Sequence, residues 1–479
     1  MIRKTLSDGS VVTALPLTIP QQFMLGCSLQ YGKGYLINNI GSGYYFKADM
    51  DFEVMKQAVC EAVDRCETMR LRFVQDEQYK VLQYIQKKSQ MEIETLDLHD
   101  LTADQADDEL LNLTRGPVPM FECELHKIWM VKLPEGYNGL LMKFQHLAMD
   151  AYSVKIFLKD VMEIYLSKIK GTDYPKPMRP YFPEVAKELA YINSSKHDAD
   201  RKYWYDSLAT TTEPVFTDYL IDNRLKKQQK QYPDRRYCDI HSGSPDADVQ
   251  QFSMSKEDSE KIVNMCIDRG LSVCAVLSMG LRTALSVFND NQKDVSFKMI
   301  VNRRGSISEK KSGGIRINFF PMRSIINETA TFTQAVEEIE KIQSEIYSHC
   351  SLSFMEMLAL RHKSMPETAL PDSTYDSVGF SYQPLMVIPN IDEETEKSAR
   401  GVWYNNGASM IPLYLTVRHR AGDGGFEFVF EYRKVPEPKK DIEIFYKKLR
   451  SALIIGAGNA DITVGEILKE IALDEDERK

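Results

Sequence analysis

The sequence predicts a mixed α/β fold with enough chain for three average domains or for two large lobes that share one cleft. The chain has 479 residues, of which 43% are hydrophobic and 27% charged, as in soluble globular enzymes. Along the chain, segments with apolar residues at helical spacing alternate with short apolar runs that are typical of strands. A proline-rich stretch at 171–191 is a natural place for the chain to cross between lobes.

The N-terminal part contains one clear helix and one pair of strands. The stretch "FEVMKQAVCEAVDR", residues 52–65, predicts an amphipathic helix with a stripe formed by Val54, Ala58, Val59, Ala62 and Val63. Further on, "CELHKIWMVKL" and "GLLMKFQH" predict two strands. The segment "PEGYNG" between them has the proline, glycines and asparagine of a hairpin loop.

A histidine lies at the end of the second strand. In "FQHLAMDAYS", His146 closes the apolar run and Asp150 follows four residues later. Ser153 can cap the next helix and Gly171 can close it. The inner stripe of that helix is Val154, Phe157, Val161 and Ile164. From spacing alone, His146 is either a catalytic base or a core histidine beside a helix start.

The C-terminal part of the chain also contains predicted helices and strands in alternation. A helix is predicted around "DADRKYWYDSL", a polar basic loop at "DNRLKKQQKQYPDRRY", and a final strand and helix at "FEFVFEYR" and "DIEIFYKKLRSALI". We interpret the basic loop as a solvated surface loop, with phosphate binding as the alternative. The lobes are assigned to residues 1–180 and 181–479.

Charge and composition limit the kinds of partner that the protein can bind. The net charge of −9 and a sequence pI near 5.6 argue against nucleic-acid binding. The start "MIRKTLSDGS" lacks a signal-peptide core, and no run approaches the roughly 18 apolar residues that span a bilayer. We expect a cytoplasmic protein with no membrane partner. The eight cysteines form no CxxC pair, which indicates buried free thiols rather than a metal site or disulfides.

Several common catalytic motifs are missing from the sequence. It has no GxxxxGK[ST] phosphate loop, no HExxH, no GxSxG elbow and no strand-associated GxGxxG. No serine or cysteine lies in a recognisable nucleophile setting. His146 is therefore the leading candidate for chemistry, as a general base.

The stretch "FQHLAMDAYS" resembles the HHxxxDG signature of condensation domains of non-ribosomal peptide synthetases, members of the chloramphenicol-acetyltransferase-like acyltransferases. His146 matches the second, catalytic histidine. Four more stretches resemble family elements in the family's order. They are "LPLTIPQQFML" (Pro16, Leu17, Thr18, Gln21), "RCETMRLRF" (Arg65, Glu67, Arg70, Phe73), "INFFPMR" (Asn318, Pro321, Arg323) and "SHCSLSFMEML" (His349, Phe354, Glu356).

The resemblance implies two acyltransferase-like lobes in a V, with His146 in a tunnel between them. It implies acyl transfer from a thioester, on a phosphopantetheine arm or coenzyme A, to an amine or hydroxyl. No cofactor would be bound permanently. The partners would be an acyl or peptidyl carrier protein in trans, or acyl-CoA, with a small-molecule acceptor. The sequence contains no carrier motif G-x-[DH]-S and no adenylation segment, so we expect a free-standing enzyme.

The resemblance also implies a structural role for Asp150. In the family this aspartate turns away from the histidine and pairs with an arginine. Here "IVNRRG" offers Arg304, with Arg303 as the competing register. The resemblance further places Asn318, Tyr152 and Ser381 along the substrate tunnel.

The sequence departs from the family pattern at four positions, Gln145, Ala151, Cys66 and Phe319. Gln145 replaces the first histidine, supports the loop, and by strand alternation faces away from His146. It also argues against heterocyclisation. Ala151 replaces a glycine, so we expect a narrower acceptor channel. These departures leave a second interpretation open, a catalytically silent relative that binds or recruits a carrier protein.

Overall fold

A computed structural model describes residues 2–30, 34–89, 91–209, 212–240 and 244–477. By their contacts the residues form two compact units. The first unit comprises Met1–Ser194, Arg304–Ile317 and Leu385–Ala408, and the second comprises Ser195–Arg303, Asn318–Pro384 and Ser409–Lys479. The mixed helix-and-sheet prediction is confirmed. The lobe boundary at residue 180, the V and the tunnel stay predictions.

The strands of the described residues, in chain order, are β1 (Ile2–Thr5), β2 (Val11–Pro16), β3 (Asn39–Lys47), β4 (Leu71–Gln75), β5 (Val81–Ile85), β6 (Glu94–Asp97), β7 (His126–Lys132), β8 (Tyr137–Gln145), β9 (Cys238–Asp239), β10 (Ala247–Ser253), β11 (Asp294–Asn302), β12 (Ile317–Ile325), β13 (Ser373–Thr374), β14 (Val378–Gln383), β15 (Arg400–Tyr404), β16 (Leu413–His419) and β17 (Phe426–Arg433).

The α-helices of the described residues are α1 (Ile19–Gln30), α2 (Gly34–Ile37), α3 (Phe52–Arg65), α4 (Ala103–Arg115), α5 (Ala151–Lys170), α6 (Phe182–Tyr191), α7 (Ser195–Leu208), α8 (Arg224–Gln229), α9 (Lys256–Arg269), α10 (Val273–Phe288), α11 (Ile307–Lys310), α12 (Phe332–Ser348), α13 (Phe354–Ser364), α14 (Glu393–Ser398), α15 (Lys439–Gly458) and α16 (Val464–Glu470).

The first unit is built on two sheets. Its five-stranded sheet has the order β15-β3-β8-β7-β6, and its four-stranded sheet has the order β1-β2-β5-β4. The predicted hairpin is present, because β7 and β8 pair antiparallel, with Trp129 opposite Leu141. The other edge of β8 pairs antiparallel with β3. β8 is thus the central strand of its sheet.

The second unit is built on a six-stranded sheet with the order β10-β17-β16-β14-β11-β12. Its antiparallel part is β10, β17 and β16, and β14 runs parallel to both β16 and β11. Every residue from Ala275 to Phe288 in α10 is buried. Such a helix, buried on all sides, is typical of a core element.

The predicted helix at 52–65 is α3, and its N-cap is Asp51, whose carboxylate accepts from two backbone amides. Its buried stripe includes Met55, whereas Val54 is only half-buried. The prediction that Ser153 caps the helix after His146 was wrong. Asp150 is the N-cap, because its carboxylate accepts the Ser153 backbone N–H at 2.8 Å. Gly171 closes the helix in a left-handed conformation, as predicted.

Two other expectations need correction. The basic loop contains α8, whose N-cap Asn223 accepts from the Lys226 amide and whose Leu225 is buried, so this segment is not merely a solvated loop. The eight cysteines are free, but Cys60 is exposed and Cys123, Cys274 and Cys350 are only partly buried.

Within the described ranges, no single helix has the length and apolar character to cross a membrane. One bent pair, α9 with α10 at 118°, passes that test on length and composition alone.

Candidate active site

The central strand of the five-stranded sheet delivers His146. β8 ends at Gln145, whose backbone N–H donates to the Leu125 carbonyl at 2.7 Å. The next N–H, that of His146, donates to the Asn38 carbonyl at 2.6 Å. The chain then turns through residues 147–149 into α5. His146 therefore lies in a short loop whose two ends are fixed by a sheet and a helix.

The imidazole has one defined tautomer. Its Nδ1 lies 2.9 Å from the backbone carbonyl oxygen of Met149. A carbonyl oxygen can only accept, so Nδ1 carries the proton and donates it to this bond. In the neutral ring the lone pair is then on Nε2. No hydrogen bond to Nε2 is found among the described residues.

The surroundings of the ring keep it neutral. Burial lowers the pKa of His146 below its ordinary 6.5, against the opposing attraction of the Asp150 charge. The side chain is nevertheless only partly buried, whereas the four residues that follow it are fully buried. A neutral imidazole with a free Nε2 can accept a proton at neutral pH.

Asp150 forms a bidentate ion pair with Arg304. The two guanidinium nitrogens donate to its carboxylate oxygens at 2.8 and 3.0 Å. The backbone N–H of Arg316 donates to the same carboxylate at 2.9 Å. Arg304 also donates to the Ser153 hydroxyl at 2.7 Å and to the Gly314 carbonyl at 2.8 Å. The whole cluster is buried.

This cluster keeps Asp150 ionised. Burial favours the neutral acid, but the Arg304 charge and the hydrogen bonds from Ser153 and Arg316 outweigh it and lower the pKa of Asp150. Asp150 thus acts both as the N-cap of α5 and as the ion-pair partner of Arg304. Arg303, the competing register, belongs to the second unit, where its charge lowers the pKa of Cys350 while burial raises it.

Two side chains outside the motif brace the same loop. Gln21 on α1 donates from Nε2 to the Leu147 carbonyl at 3.1 Å. The hydroxyl of Thr68 donates to the Met149 sulfur at 3.3 Å. Both residues are buried, with 0% and 1% of their surface exposed. The loop is therefore fixed by side chains as well as by its ends.

A family model described as "Condensation domain" matches residues 12–467. The chain belongs to the condensation domain family. Surfactin synthase subunit 1 of Bacillus subtilis (strain 168) is 21% identical over 465 residues, 95% of this chain and 12% of that protein. Bacitracin synthase 1 of Bacillus licheniformis is 21% identical over 428 residues, 88% of this chain and 7% of that protein. The chain thus spans only a small part of the length of these relatives.

Solved structures share its fold. The condensation domain from Monacolin K polyketide synthase superposes with a TM-score of 0.78 at 14% identity, covering 95% of this chain and 100% of that one. The first condensation domain of the CDA synthetase gives 0.77 at 17% identity, covering 95% and 98%. A starter condensation domain of rhizomide synthetase, solved in complex with C8-CoA, gives 0.73 at 16% identity, covering 95% and 97%. The family is of the acyltransferase type, so acyl transfer or condensation is its general reaction class.

The two departures beside the motif occupy different settings. Gln145 is 4% exposed, and its side-chain oxygen is a buried acceptor without a hydrogen-bond partner. Asn39 lies opposite Gln145 on β3, and its side-chain oxygen is in the same state. Ala151 is the first residue of α5 and is partly exposed. The outward orientation of Gln145 and the narrower channel at Ala151 stay predictions.

The three residues assigned to the tunnel have different partners. Tyr152, in the first unit, donates its hydroxyl to the Lys310 carbonyl at 3.1 Å, and the Arg304 guanidinium lies 4.6 Å from its ring centre. Asn318, in the second unit, donates to the Leu352 carbonyl at 2.6 Å. Ser381 lies on β14 and interacts with the Tyr414 hydroxyl. Their contact with substrate stays a prediction.

Sequence reasoning placed Gln21 in a family-like element without assigning it a function, and it missed Thr68 and the Met149 carbonyl. A backbone carbonyl has no residue-type signal, so its contact with the imidazole cannot be read from the sequence. In the part of the chain that the structure describes, no three His, Cys, Asp or Glu side chains are grouped so as to hold a metal ion.

Proposed function

We propose that this condensation domain transfers an acyl or aminoacyl group from a thioester to an amine or hydroxyl acceptor, with His146 as the general base. The observation that carries the proposal is the hydrogen bond from Nδ1 to the Met149 carbonyl. It fixes the tautomer with the basic lone pair on Nε2, and the lowered pKa of His146 keeps that lone pair available at neutral pH.

In the proposed reaction, Nε2 of His146 is the proton acceptor. The acceptor nitrogen or oxygen attacks the thioester carbonyl, a C–N or C–O bond forms, and the C–S bond breaks. Nε2 takes the proton from the acceptor, and the same proton can then neutralise the leaving thiolate. A thioester is already activated, so alignment of the two substrates supplies much of the rate. Asp150 and Arg304 position the loop and take no part in proton transfer.

The donor in this proposal is an acyl or peptidyl carrier protein acting in trans, or acyl-CoA. Support comes from the rhizomide synthetase domain in complex with C8-CoA and from the first condensation domain of the calcium-dependent antibiotic synthetase in complex with a substrate analogue. A thioester on either carrier presents the same reacting carbonyl, so both donors are consistent with one base.

The test is to incubate the protein with acyl-CoA and with acyl-phosphopantetheinyl carrier protein, against a panel of amines and alcohols, and to follow acceptor mass. His146→Ala should slow transfer roughly a hundred- to ten-thousandfold without a change in melting temperature. His99→Ala, at an exposed histidine of the same unit, is the matched control.

Wild-type turnover in His146→Ala would refute the assignment of the base. Absence of product with every substrate pair, combined with binding of the carrier protein, would instead assign the silent recruiting role.

A further inference from the structure

The end of helix α3 contacts the loop that contains His146 through two sulfur atoms and one hydroxyl. Cys66 is the C-cap residue of α3, and its Sγ lies 3.3 Å from Oγ1 of Thr68. The same Oγ1 lies 3.3 Å from Sδ of Met149. The carbonyl oxygen of Met149 is the acceptor for Nδ1 of His146, at 2.9 Å. Three successive contacts thus connect the helix end to the imidazole within the first unit.

The chemistry of the atoms defines the direction of these hydrogen bonds. A thioether sulfur has no proton and can only accept, so the single proton of the Thr68 hydroxyl is donated to Met149. The oxygen of that hydroxyl then accepts from the Cys66 thiol. Burial raises the pKa of Cys66, so the thiol keeps the proton that it donates at neutral pH. Both donors therefore point from the helix end toward the histidine loop.

The Thr68 hydroxyl is shielded from solvent. Cys66, Thr68 and Met149 each expose only 1% of their surface. The backbone of Gly313 packs against the hydroxyl so closely that a Cβ built on this glycine would lie 2.1 Å from Oγ1 of Thr68. A water molecule that replaced the hydroxyl would need space that this packing does not leave. Removal of the hydroxyl would therefore leave the Met149 sulfur without a substitute partner.

The backbone of the histidine loop restrains residue 149 only weakly. The Ala148 N–H donates to the Gln145 carbonyl at 2.9 Å, whereas the Met149 N–H lies 3.4 Å from the same oxygen. The second distance is beyond the usual range of a backbone hydrogen bond. The side chain of Met149 therefore provides much of the restraint on this residue, and its hydrogen-bond donor is Thr68.

We propose that Thr68 is a positioning residue of the active site, which holds Met149 so that the Met149 carbonyl keeps the proton of His146 on Nδ1. This inference rests on the proposed function and adds a residue to it. Without the Thr68 hydroxyl, residue 149 can turn, the bond to Nδ1 weakens, and the ring also populates the tautomer with its proton on Nε2. That tautomer has no lone pair on Nε2, so it cannot take the proton of the incoming amine or alcohol there.

The direct measurement is the tautomer of His146. It is made by nitrogen NMR on the full chain with isotope-labelled histidine, at about pH 8, where the ring is neutral. The protonated and the unprotonated ring nitrogen have different chemical shifts, so the spectrum distinguishes the two tautomers. A difference spectrum against His146→Gln assigns the signals of His146 among the eight histidines. Wild type should show the Nδ1–H form alone.

The first variants change the hydroxyl of Thr68. Thr68→Val keeps the shape of the side chain, and it should give a mixture of both tautomers and lower kcat about tenfold. Thr68→Ser keeps the hydroxyl and should retain the Nδ1–H form. Thr114→Val is the matched control, because Thr114 is equally buried in the same unit and its hydroxyl donates to the Leu111 carbonyl at 2.8 Å. This control should keep the wild-type tautomer and rate.

A second variant tests the same contact from the other side. Met149→Leu removes the sulfur acceptor and nearly keeps the side-chain volume, so it should give a mixture of tautomers as well. Thr68→Val combined with Met149→Leu should be no worse than either change alone, because both remove one contact. If Thr68→Val does not fold, the spectrum of Met149→Leu alone gives the answer.

The Nδ1–H form alone in folded Thr68→Val or in folded Met149→Leu would overturn the inference. An Nε2–H form in wild type, or a mixture in Thr114→Val, would also overturn it. The NMR measurement needs no turnover, so its result is separate from that of the proposed function. A tautomer that responds to Thr68→Val, together with wild-type transfer by His146→Ala, would refute the base and leave the positioning contact standing.

Discussion

The side-chain amide of Gln21 reaches the carbonyl of Leu147, 126 positions further along the chain and next to His146. The same side chain accepts from the Thr18 backbone N–H at 2.8 Å and donates to Gln83 at 3.0 Å. Gln21 therefore connects the start of α1, a strand and the histidine loop through one buried amide. The position of the loop depends on a residue that takes no part in the chemistry.

Replacing Gln21 should loosen the loop. Gln21→Ala leaves the Leu147 carbonyl and the Thr18 amide without partners, which should cost about 1–3 kcal/mol of unfolding free energy. Turnover should fall about tenfold or more, because the imidazole loses its alignment. Denaturant unfolding and kcat measure the two effects. Gln22→Ala, which removes the hydrogen bond from Gln22 Nε2 to the Leu17 carbonyl but no contact with the histidine loop, should leave turnover unchanged. A wild-type rate in Gln21→Ala would remove its positioning role.

Removal of the Asp150 carboxylate should first lower the free energy of unfolding. Asp150→Ala leaves Arg304 buried without its carboxylate and should cost about 3–5 kcal/mol. Activity should fall as a consequence, whereas His146→Ala loses activity and keeps its stability. Thermal unfolding and turnover are measured on the same preparations. An unchanged unfolding midpoint in Asp150→Ala would mean that the pair does not stabilise the fold.

The pH profile should reflect the lowered pKa of His146. Nε2 stays unprotonated below the ordinary value of 6.5, so the acid limb of kcat/KM should lie below pH 6.5. Between 6.5 and the folded pKa, the unfolded chain binds a proton that the folded chain does not. The associated stability is present above 6.5 and lost as pH falls through this window. His146→Gln should reduce that pH dependence. An acid limb above 6.5 would contradict the prediction.

Glu431 should have the opposite pH dependence. Its folded pKa of about 7 exceeds the ordinary 4.5, so the folded chain holds a proton that the unfolded chain has released. The associated stability is present below 4.5 and lost as pH rises through 7. Above pH 7, Glu431→Gln should be more stable than wild type by roughly 1–3 kcal/mol, and below 4.5 this gain should vanish. Denaturant unfolding at two pH values tests this, with Glu437→Gln as control.

Gly314 should tolerate no side chain. Its φ of +100° is unfavourable for other residues, and an added Cβ would overlap the Tyr181 ring. Its carbonyl accepts from Ser153 at 2.6 Å and from Arg304 at 2.8 Å, so a shift here also disturbs the Asp150 cluster. Gly314→Ala should cost about 1–3 kcal/mol more than Gly9→Ala, which has a similar φ but open space around it. Equal costs in denaturant unfolding would show that Tyr181 accommodates the methyl group.

The strand, loop and helix around His146 could be predicted from the sequence because apolar periodicity changes there from strand to helix. The cap could not. Asp150 and Ser153 are equally good capping residues by type. Asp150 takes the position because Arg304, 154 residues away, fixes its carboxylate, and sequence spacing holds no information about such a contact. For the same reason, the sequence named Arg304 as the partner of Asp150 but left Arg303 open as the alternative.

The different settings of the two glutamates of β17 could not be predicted from the sequence. "FEFVFEYR" predicts a strand, but Glu427 and Glu431 look equivalent in it, since both alternate with aromatic residues. Only the neighbouring strand distinguishes them, because Glu427 pairs with Arg418 and Glu431 lies opposite Tyr414. The pKa of a carboxyl group depends on such neighbours and on burial, which composition does not encode.

β15, at residues 400–404, completes the sheet that carries His146 by pairing with β3. During synthesis, β3 leaves the ribosome long before residues 400–404 have been translated. Until then, this edge of β3 has unpaired N–H and C=O groups. Pairing over more than 350 positions is also a slow, high-contact-order step. The nascent sheet is thus exposed to aggregation until residue 404 has been translated, and slower elongation before residue 400 would prolong that exposure.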